Sequence, residues 1–369
     1  MKFTIMSGDL AETVGWVAHA LPKRAATPVL LGILLDAGDD GVTFSAFDYD
    51  TSRQAAVELD APVDPGKILV PGRLVADIVK VFPKGELVDV AADDREVTIR
   101  CGKAEYALPL MPVDDFPTLP KPSAAIGSVA SKTLADAVAK AISAAGKDDT
   151  LPMLTGLYLE VGDGLIDLAA TDRYRMTWRT VEWTAAVDAP AELKALIPAK
   201  IVHDVARGLP AGTSVEVGVN AGLAAFTCDG RVTTVRLLDG GFPPFRDHFA
   251  KQADAKIVAE FDAGALSKVV KRVALMAERS APVRLSFTQD GVLVEAGGAD
   301  VGRGSEQADC TLDGEDITIA FNPPFLSTAL ATFAGPVQLR MTKPTSPAVL
   351  STPGDDSYRH LIMPIRLTK

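Results

Sequence analysis

The chain has 369 residues, a length that predicts two or three domains at about 100–200 residues per domain. Hydrophobic residues make up 47% of the chain and charged residues 23%, which is typical of a globular protein and excludes a disordered or membrane-spanning one. We therefore expect no membrane association. Taken alone, the formal net charge of −11 argues against binding to nucleic acid.

Cysteine and histidine usage points away from disulfides and metals. Cys101, Cys228 and Cys310 are far apart and form no C-x-x-C pair, so we expect buried thiols in a reducing cytoplasm. The first residues, MKFTIMSGDLAE, contain no signal-peptide core. The four histidines lack H-x-x-x-H spacing, so neither a metal site nor a cofactor is expected.

In chain order, one unit occurs three times. Each copy opens with a short strand (MKFTIM, AIGSVA, KIVAEF), which is followed by a segment of helical periodicity at 7–24, 131–147 and 263–279. Three residues at the starts of these helices are expected N-caps: Ser7, Ser131 and Asp262.

The second half of each copy also repeats. Alternating apolar residues around a glycine turn predict hairpins within 29–48, 152–172 and 282–298. Second helices are predicted over 71–84, 198–210 and 322–334, each with proline in its first turn. Further strands close each copy, and Pro-rich linkers lie near 116–124 and 240–250. The fold class is therefore α+β, with three repeats of two helices plus antiparallel sheets at 1–122, 123–251 and 252–369.

Charge is distributed unevenly between elements. The six predicted helical segments hold fourteen Lys and Arg against six Asp and Glu, a net charge of +8, which leaves −19 for the rest of the chain. If the helices share one surface, that surface suits a polyanion. The alternative is that these cations are solvated side chains near helix C-termini, where the helix dipole favours them.

No catalytic constellation is present in the sequence. There is no P-loop, no dinucleotide-binding glycine motif and no G-x-S-x-G elbow, and the Gly-rich stretch 297–305 suits a loop. Asp114 and Asp115 are paired carboxylates, but they lie in a Pro-flanked linker. A non-catalytic binding scaffold is favoured. An enzyme with a small-molecule pocket between copies, or an interaction protein without a DNA role, stays an alternative.

The last ten residues, HLIMPIRLTK, are unusually apolar for a terminus. Pro364 disfavours a helix, so a final strand is expected that is fixed in the fold. From the residues alone, this strand either closes a core or borders a binding surface.

Four motifs in order, DDFPTLP (114–120), ATDRYRM (170–176), GGFPPFR (240–246) and LIMPIRL, resemble those of the bacterial DNA polymerase III beta subunits, the sliding clamps. The resemblance covers essentially the whole chain. It implies a head-to-tail homodimeric ring that encircles double-stranded DNA without sequence preference. It also implies partners that bind through short linear motifs, namely the replicative polymerase, the clamp loader and repair factors, and a cytoplasmic, non-catalytic role without cofactors.

The resemblance also implies a partner-peptide pocket where the final strand meets the ATD turn of the middle repeat. Carried over by position, its residues are Leu154, Thr171, Arg173, Tyr174, Arg175, Met176, Pro243, His248, Leu361, Met363, Pro364, Ile365 and Arg366. Leu, Met and Ile provide an adaptable apolar floor, and Arg175 and Arg366 can bind peptide carbonyls or acidic groups. The alternative is that these apolar residues only close the core between two repeats.

Three positions depart from the family pattern. Arg173 stands where the family usually has Gly, Tyr174 where one branch has His, and Asp247 where a basic residue is frequent. They suggest a specialised paralogue or a variant with altered partner or inhibitor specificity as an alternative function.

DNA contacts are expected from Arg24 and Lys200 by family position. From charge and helix location alone, further candidates are Arg73, Lys80, Lys132, Lys140, Arg207, Lys268 and Arg272. For the dimer, Tyr106 and Leu108 of one subunit are expected to face Leu275 and Met276 of the other. Simple core packing is the alternative for these four residues.

Overall fold

A computed structural model describes residues 1–38, 41–162, 164–220, 222–277, 281–298 and 302–366. Its strands are β1 (Lys2–Met6), β2 (Gly32–Gly38), β3 (Gly41–Phe47), β4 (Thr51–Glu58), β5 (Gly66–Pro71), β6 (Leu87–Ala92), β7 (Glu96–Cys101), β8 (Ala104–Pro109), β9 (Ala125–Ala130), β10 (Gly156–Gly162), β11 (Leu165–Thr171), β12 (Arg175–Glu182), β13 (Thr184–Ala185), β14 (Leu193–Pro198), β15 (Ser214–Val219), β16 (Leu223–Cys228), β17 (Arg231–Arg236), β18 (Ile257–Asp262), β19 (Val283–Thr288), β20 (Gly291–Gly298), β21 (Gly302–Ala308), β22 (Thr311–Asp313), β23 (Ile317–Phe321), β24 (Pro336–Met341), β25 (Ala348–Thr352) and β26 (Asp355–Ile362).

The α-helices are short. They are α1 (Ser7–Val17), α2 (Gly72–Lys80), α3 (Ser131–Ala141), α4 (Ala199–Arg207), α5 (Phe245–Ala250), α6 (Ala263–Val273) and α7 (Pro323–Leu330). The first helix of each repeat continues into one 3₁₀ turn, at Ala18–Ala20, Ile142–Ala144 and Ala274–Met276.

The described chain forms two compact units. Unit 1 contains residues 1–132, 184–189 and 204–237, and unit 2 contains 133–183, 190–203 and 238–369. The strands of the middle repeat are therefore divided between the units. The three predicted repeat boundaries stay a prediction.

Each unit holds one four-stranded and one nine-stranded antiparallel sheet. In unit 1 the orders are β1-β6-β7-β8 and β13-β9-β15-β16-β17-β4-β3-β2-β5. In unit 2 they are β21-β20-β19-β23 and β14-β10-β11-β12-β26-β25-β24-β18-β22. Each nine-stranded sheet thus joins strands from two consecutive repeats, through the β4–β17 pair in unit 1 and the β12–β26 pair in unit 2.

A backbone hydrogen bond recurs in every repeat. The N–H of the first residue of the first helix donates to a carbonyl beyond the second helix, in the pairs Ser7–Glu86 (2.8 Å), Ser131–Thr213 (2.9 Å) and Ala263–Gly335 (3.0 Å). The same closure at three equivalent places confirms the repetition that the sequence predicted.

Some local expectations were wrong. Ser7 and Ser131 are not N-caps; they lie inside the first turn, and their hydroxyls donate to the carbonyls of Pro83 and Pro210, each at 2.7 Å. Asp262 is an N-cap, accepting from the N–H of Ala265 at 2.7 Å. Of the three expected prolines, only that of the last helix lies in a first turn, because Pro71 and Pro198 end the preceding strands.

The helices also carry less charge than expected. Within the six helices that match the predicted segments, nine Lys and Arg and five Asp and Glu occur, so their net charge is +4. Helix α1 contains acidic residues and no cation, since Lys23 and Arg24 lie beyond its end. Arg279, counted in a predicted helix, lies outside the described residues.

The predicted final strand, 360–369, is confirmed only at its start, because β26 ends at Ile362. After it, Met363–Arg366 is held by single backbone hydrogen bonds rather than by a continuous ladder. Leu367, part of the predicted strand, lies outside the described residues.

Of the cysteines, Cys101 and Cys228 are buried as expected, and burial raises the pKa of the Cys101 thiol. Cys310 is only half-buried, and desolvation raises its pKa to about 11. Within the described ranges, no helix is long and apolar enough to cross a membrane.

Removing the Asp262 cap should destabilise the fold. Asp262→Ala leaves the N–H of Ala265 without its carboxylate partner, so we expect a loss of about 1 kcal/mol in the free energy of unfolding. Urea unfolding measures this loss. The control is Asp77→Ala on the exposed face of α2, expected within about 0.5 kcal/mol of wild type. Equal losses in both variants would contradict the capping assignment.

Candidate functional site

The predicted binding residues meet at the turn between β11 and β12. The Asp172 carboxylate oxygen Oδ1 accepts hydrogen bonds from the N–H groups of Tyr174 and Arg175, each at 3.0 Å. The Thr171 hydroxyl accepts from the N–H of Arg173 and donates to the Arg175 carbonyl at 2.7 Å. These bonds hold Arg173 at a φ of +78°, a region that favours glycine.

The C-terminal segment is fixed against this turn. In the β12–β26 pair, Met176 lies opposite Leu361. Beyond the ladder, the N–H of Met363 donates to the carbonyl of Tyr174 at 2.8 Å. The chain then continues to Ile365, whose N–H donates to the carbonyl of Ala320 on β23, also at 2.8 Å.

An apolar cluster lies beneath the paired strands. Met176 and Leu361 are buried with Phe245 and Phe249 of α5 and with Val349 of β25. Helix α5 was predicted as a linker, and it is this helix that brings aromatic rings to the cluster. Met363, two residues beyond Leu361, is 38% exposed, so a ligand can reach its side chain.

Arg175 is the main buried polar group of the turn. Because neighbouring residues along a strand point to opposite faces, its side chain points away from the cluster that contains Met176. Its side chain is 9% exposed, and its Nε donates to the Asp172 carboxylate at 2.9 Å. Its guanidinium carbon lies 4.7 Å from the centre of the Phe325 ring. Nη1 has no hydrogen-bond partner among the described residues. A buried donor without a partner is costly, and this nitrogen is also closed to solvent and to a ligand in this structure.

Tyr174 extends the site outward. It is 56% exposed, and its ring is stacked 6.0 Å from that of Phe325. Phe325 and Asp172 were missed by the sequence reasoning. The Asn-Pro-Pro-Phe start of α7 signals a helix terminus, but no sequence pattern shows that this terminus faces the turn.

The other predicted pocket residues lie on other elements. His248 is exposed on α5, the helix whose Phe245 and Phe249 are buried in the cluster. Pro243 lines a groove of 380 Å³ with Tyr158, Phe242 and Asp247 among others. Leu154 is buried in the 3₁₀ turn Pro152–Leu154, where its carbonyl accepts from Gly146. Ile365 and Arg366 line a second groove of 660 Å³ on the β19–β21 face. We name the turn Thr171–Met176, helix α5 and the segment Leu361–Arg366 the tail-turn site.

A buried polar network supports β26 next to the site. The Tyr358 hydroxyl lies 3.2 Å from His360 Nδ1 and 3.1 Å from the Thr332 hydroxyl. Burial, with a smaller contribution from the Arg175 charge, lowers the pKa of His360 to about 3. Burial also raises the pKa of Tyr358 to about 12. Both side chains are therefore neutral at ordinary pH.

Most of the predicted DNA contacts are exposed cations. Arg24, Arg73, Lys80, Lys132, Lys200, Arg207 and Lys268 are exposed, although Arg73 also donates to the Pro22 carbonyl at 3.0 Å. Two other candidates have protein partners. Arg272 is bound to both carboxylate oxygens of Glu306. Lys140 is half-buried over the Tyr358 ring, and desolvation lowers its pKa.

The predicted dimer residues fall into two groups. Leu275 is 83% exposed and Tyr106 is 37% exposed, so both can contact another chain. Leu108 belongs to the buried core of its own unit, and Met276 is half-buried near Gly302 and Gly304. Strands β8 and β21 are sheet edges.

The described residues contain no cluster of His, Cys, Asp or Glu suited to a metal ion. The tail-turn site combines a buried apolar cluster with exposed Met363 and Tyr174 side chains. These features are compatible with the docking of a peptide on a repeated α+β scaffold.

Three family models match the chain in order. They are those of the N-terminal, central and C-terminal domains of the DNA polymerase III beta subunit, at residues 1–120, 128–244 and 252–366. The chain is 40% identical over 380 residues to the beta sliding clamp of Streptomyces coelicolor, with 100% of both chains covered. It is 35% identical over 376 residues to the beta sliding clamp homolog GriR of Streptomyces muensis, with 99% of both covered.

Solved structures agree with these relatives. The DNA polymerase sliding clamp of Bacillus subtilis superposes with a TM-score of 0.92 at 26% identity, with both chains fully covered. The chain belongs to the DNA polymerase III beta subunit family, the sliding clamps. Its function is that of a non-catalytic DNA polymerase processivity factor in replication.

Replacing Arg173 with glycine should stabilise the fold. A side chain at φ +78° is strained, and glycine removes that strain, so we expect a gain of up to about 1 kcal/mol in the free energy of unfolding. The control, Asp50→Gly, lies beside Tyr49 in a similar turn, but Asp50 is not among the residues with positive φ. It should lose about 0.5–1 kcal/mol. Urea unfolding of both variants gives the comparison, and a loss in Arg173→Gly would show that the strain argument is wrong.

Proposed function

We propose that two copies of this chain form a head-to-tail ring around duplex DNA and hold partner proteins by short peptides at the tail-turn site. The partners would include the replicative polymerase, the clamp loader and repair factors, in the cytoplasm. The observation that carries the peptide proposal is the buried Met176–Leu361 cluster, with an exposed Met363 two residues after Leu361.

The chemistry of the site suits a short peptide with apolar anchors. Methionine side chains adapt to irregular apolar partners, and Met363 is in a position to do so. The Arg175 guanidinium is held by Asp172 and is buried, so it makes the turn rigid and reduces the conformational entropy lost when a peptide binds. Tyr174 and Phe325 add an aromatic border.

The specialised-paralogue alternative rests on Arg173, Tyr174 and Asp247. Arg173 and Tyr174 are both exposed, so their bulk need not occupy the floor of the cluster. The identity to GriR, at 35%, is lower than the 40% to the Streptomyces coelicolor clamp. We therefore favour the general clamp function, with these residues adjusting peptide preference.

For DNA, the exposed cations named above support contacts with phosphates. Contacts of this kind carry no sequence information and are weakened by salt, as sliding requires. Arg272 and Lys140 are weaker candidates, because each would give up a partner within the protein to reach a phosphate.

For the ring, the two edge strands supply unpaired backbone groups. Strand β8 lies at one edge of a sheet in unit 1, and β21 lies at one edge of a sheet in unit 2. Exposed edge strands tend to pair with another chain unless they are protected. Tyr106 on β8 and the exposed Leu275 beyond α6 would add apolar contact between subunits.

Removing the apolar side chains of Met363 and Ile365 should strongly weaken peptide binding. We expect Met363→Ala with Ile365→Ala to weaken binding of a Gln-Leu-x-Leu-Phe peptide at least about tenfold, with the dimer intact. Fluorescence polarisation measures the affinity, and solution mass and the unfolding midpoint check the fold. The control is Leu165→Ala with Leu293→Ala, which removes side chains 37% and 38% exposed. Unchanged affinity in the tail variant would rule out this site.

A charge at Leu275 should break the ring. Because Leu275 is 83% exposed, Leu275→Asp should leave each subunit folded and shift the mass from the dimer to the 38.8 kDa monomer. The variant should also lose retention on nicked circular DNA after loading by a clamp loader. The control is Val187→Asp, which places the same charge on another apolar residue that is fully exposed (102%). A Leu275→Asp dimer that still stays on circular DNA would contradict the proposed interface.

A further inference from the structure

The groove of 660 Å³ beside the tail has no role in the function described so far. It is lined by residues of β19, β20 and β21 and by the end of the C-terminal segment. Its charged lining residues are Arg284, Glu295, Arg303 and Arg366. We call it the sheet-face groove.

Strand alternation explains why these charges share one face. Leu285, Val292 and Val294 are fully buried and point to the core of unit 2. Neighbouring residues along a strand point to opposite faces, so Arg284 and Glu295 point away from that core. They are directly opposite each other in the β19–β20 pair.

The groove begins where the tail-turn site ends. The N–H of Ile365 donates to the carbonyl of Ala320, and Ala320 lies opposite Arg284 in the β23–β19 pair. One row across the sheet therefore runs from Ile365 through Ala320 and Arg284 to Glu295. Ile365 and Arg366 belong to both surfaces, so a ligand anchored at the tail can continue into the groove without crossing the core.

The charge of the groove is unbalanced. Three arginines face one glutamate, and all three guanidinium groups are solvent-exposed. Among the described residues none of these arginines forms an ion pair, including with Glu295. Arg246 and Arg272, by contrast, each bind two carboxylate oxygens. A surface on which exposed cations outnumber anions suits an acidic ligand.

We propose that the sheet-face groove binds an acidic segment that flanks the apolar anchors of a partner peptide, with Arg284 and Arg303 pairing its carboxylates. This inference rests on the proposed function of the tail-turn site. It identifies the favoured partners as those whose motif is adjacent to a run of Asp or Glu. Arg284 and Arg303 then determine specificity, and the apolar anchors supply most of the affinity.

The test compares three labelled peptides that share the Gln-Leu-x-Leu-Phe core. One has Asn and Gln on both sides, one has an acidic run before the core, and one has it after. At low ionic strength, wild type should bind at least one acidic peptide about three- to tenfold tighter than the neutral one. Arg284→Gln with Arg303→Gln should remove that gain and leave neutral-peptide affinity unchanged.

The control variant is Lys121→Gln with Lys256→Gln, which removes the same charge from two exposed linker positions and should keep the gain. The proposal is overturned if neither acidic peptide gains over the neutral one, or if the gain survives in Arg284→Gln with Arg303→Gln. It is also overturned if that variant instead loses retention on circular DNA, which would make the groove a phosphate contact. Failure of the neutral peptide to bind wild type would refute the tail-turn site itself, and this proposal with it.

Discussion

The pairing of β12 with β26 is the interaction on which the candidate site depends. It makes one nine-stranded sheet from two repeats, and it brings Met176 opposite Leu361 across more than 180 residues of chain. Burial of that pair with Phe245 and Phe249 fixes the register, because a slip by one residue would turn the apolar side chains to the other face. The short segment after Ile362 can then reach both the turn at Tyr174 and the edge strand β23.

Buried polar groups make this arrangement specific. The neutral His360 shares a hydrogen bond with the Tyr358 hydroxyl through Nδ1, and its Nε2 has no partner among the described residues. A protonated His360 would be expelled, which is why burial lowers its pKa. The unfolded chain therefore binds a proton that the folded chain excludes. This contribution to stability is present above about pH 6.5 and declines as the pH falls towards the folded value.

The repeats, the three hairpins and the final strand could be predicted from the sequence, because apolar periodicity and glycine turns are local signals. The pocket residues came only from the family resemblance. Phe325 could not be found in either way, since its contact with Tyr174 depends on how α7 packs against a turn far away in the chain. Ser7 and Ser131 were wrongly predicted as N-caps, because each hydroxyl binds a distant proline carbonyl instead of the local backbone. The helical charge excess shrank mainly because four cations, Lys23, Arg24, Lys84 and Lys147, lie beyond the ends of their helices.

The turn at Asp172 has a counterpart in unit 1, at Asp48. Comparing the two turns shows which features belong to the repeat and which belong to the site. In unit 1, Asp48 accepts from the N–H groups of Asp50 and Thr51, and Tyr49 has a φ of +75°. Arg236 is the last residue of β17 and the first beyond its ladder with β4. Its N–H donates to the Asp50 carbonyl at 2.8 Å, just as the N–H of Met363 donates to the Tyr174 carbonyl. The backbone geometry is thus a property of the repeat. The proposed peptide site belongs to unit 2, where Met176 of the turn packs in the apolar cluster and the adjacent segment carries Met363 and Ile365.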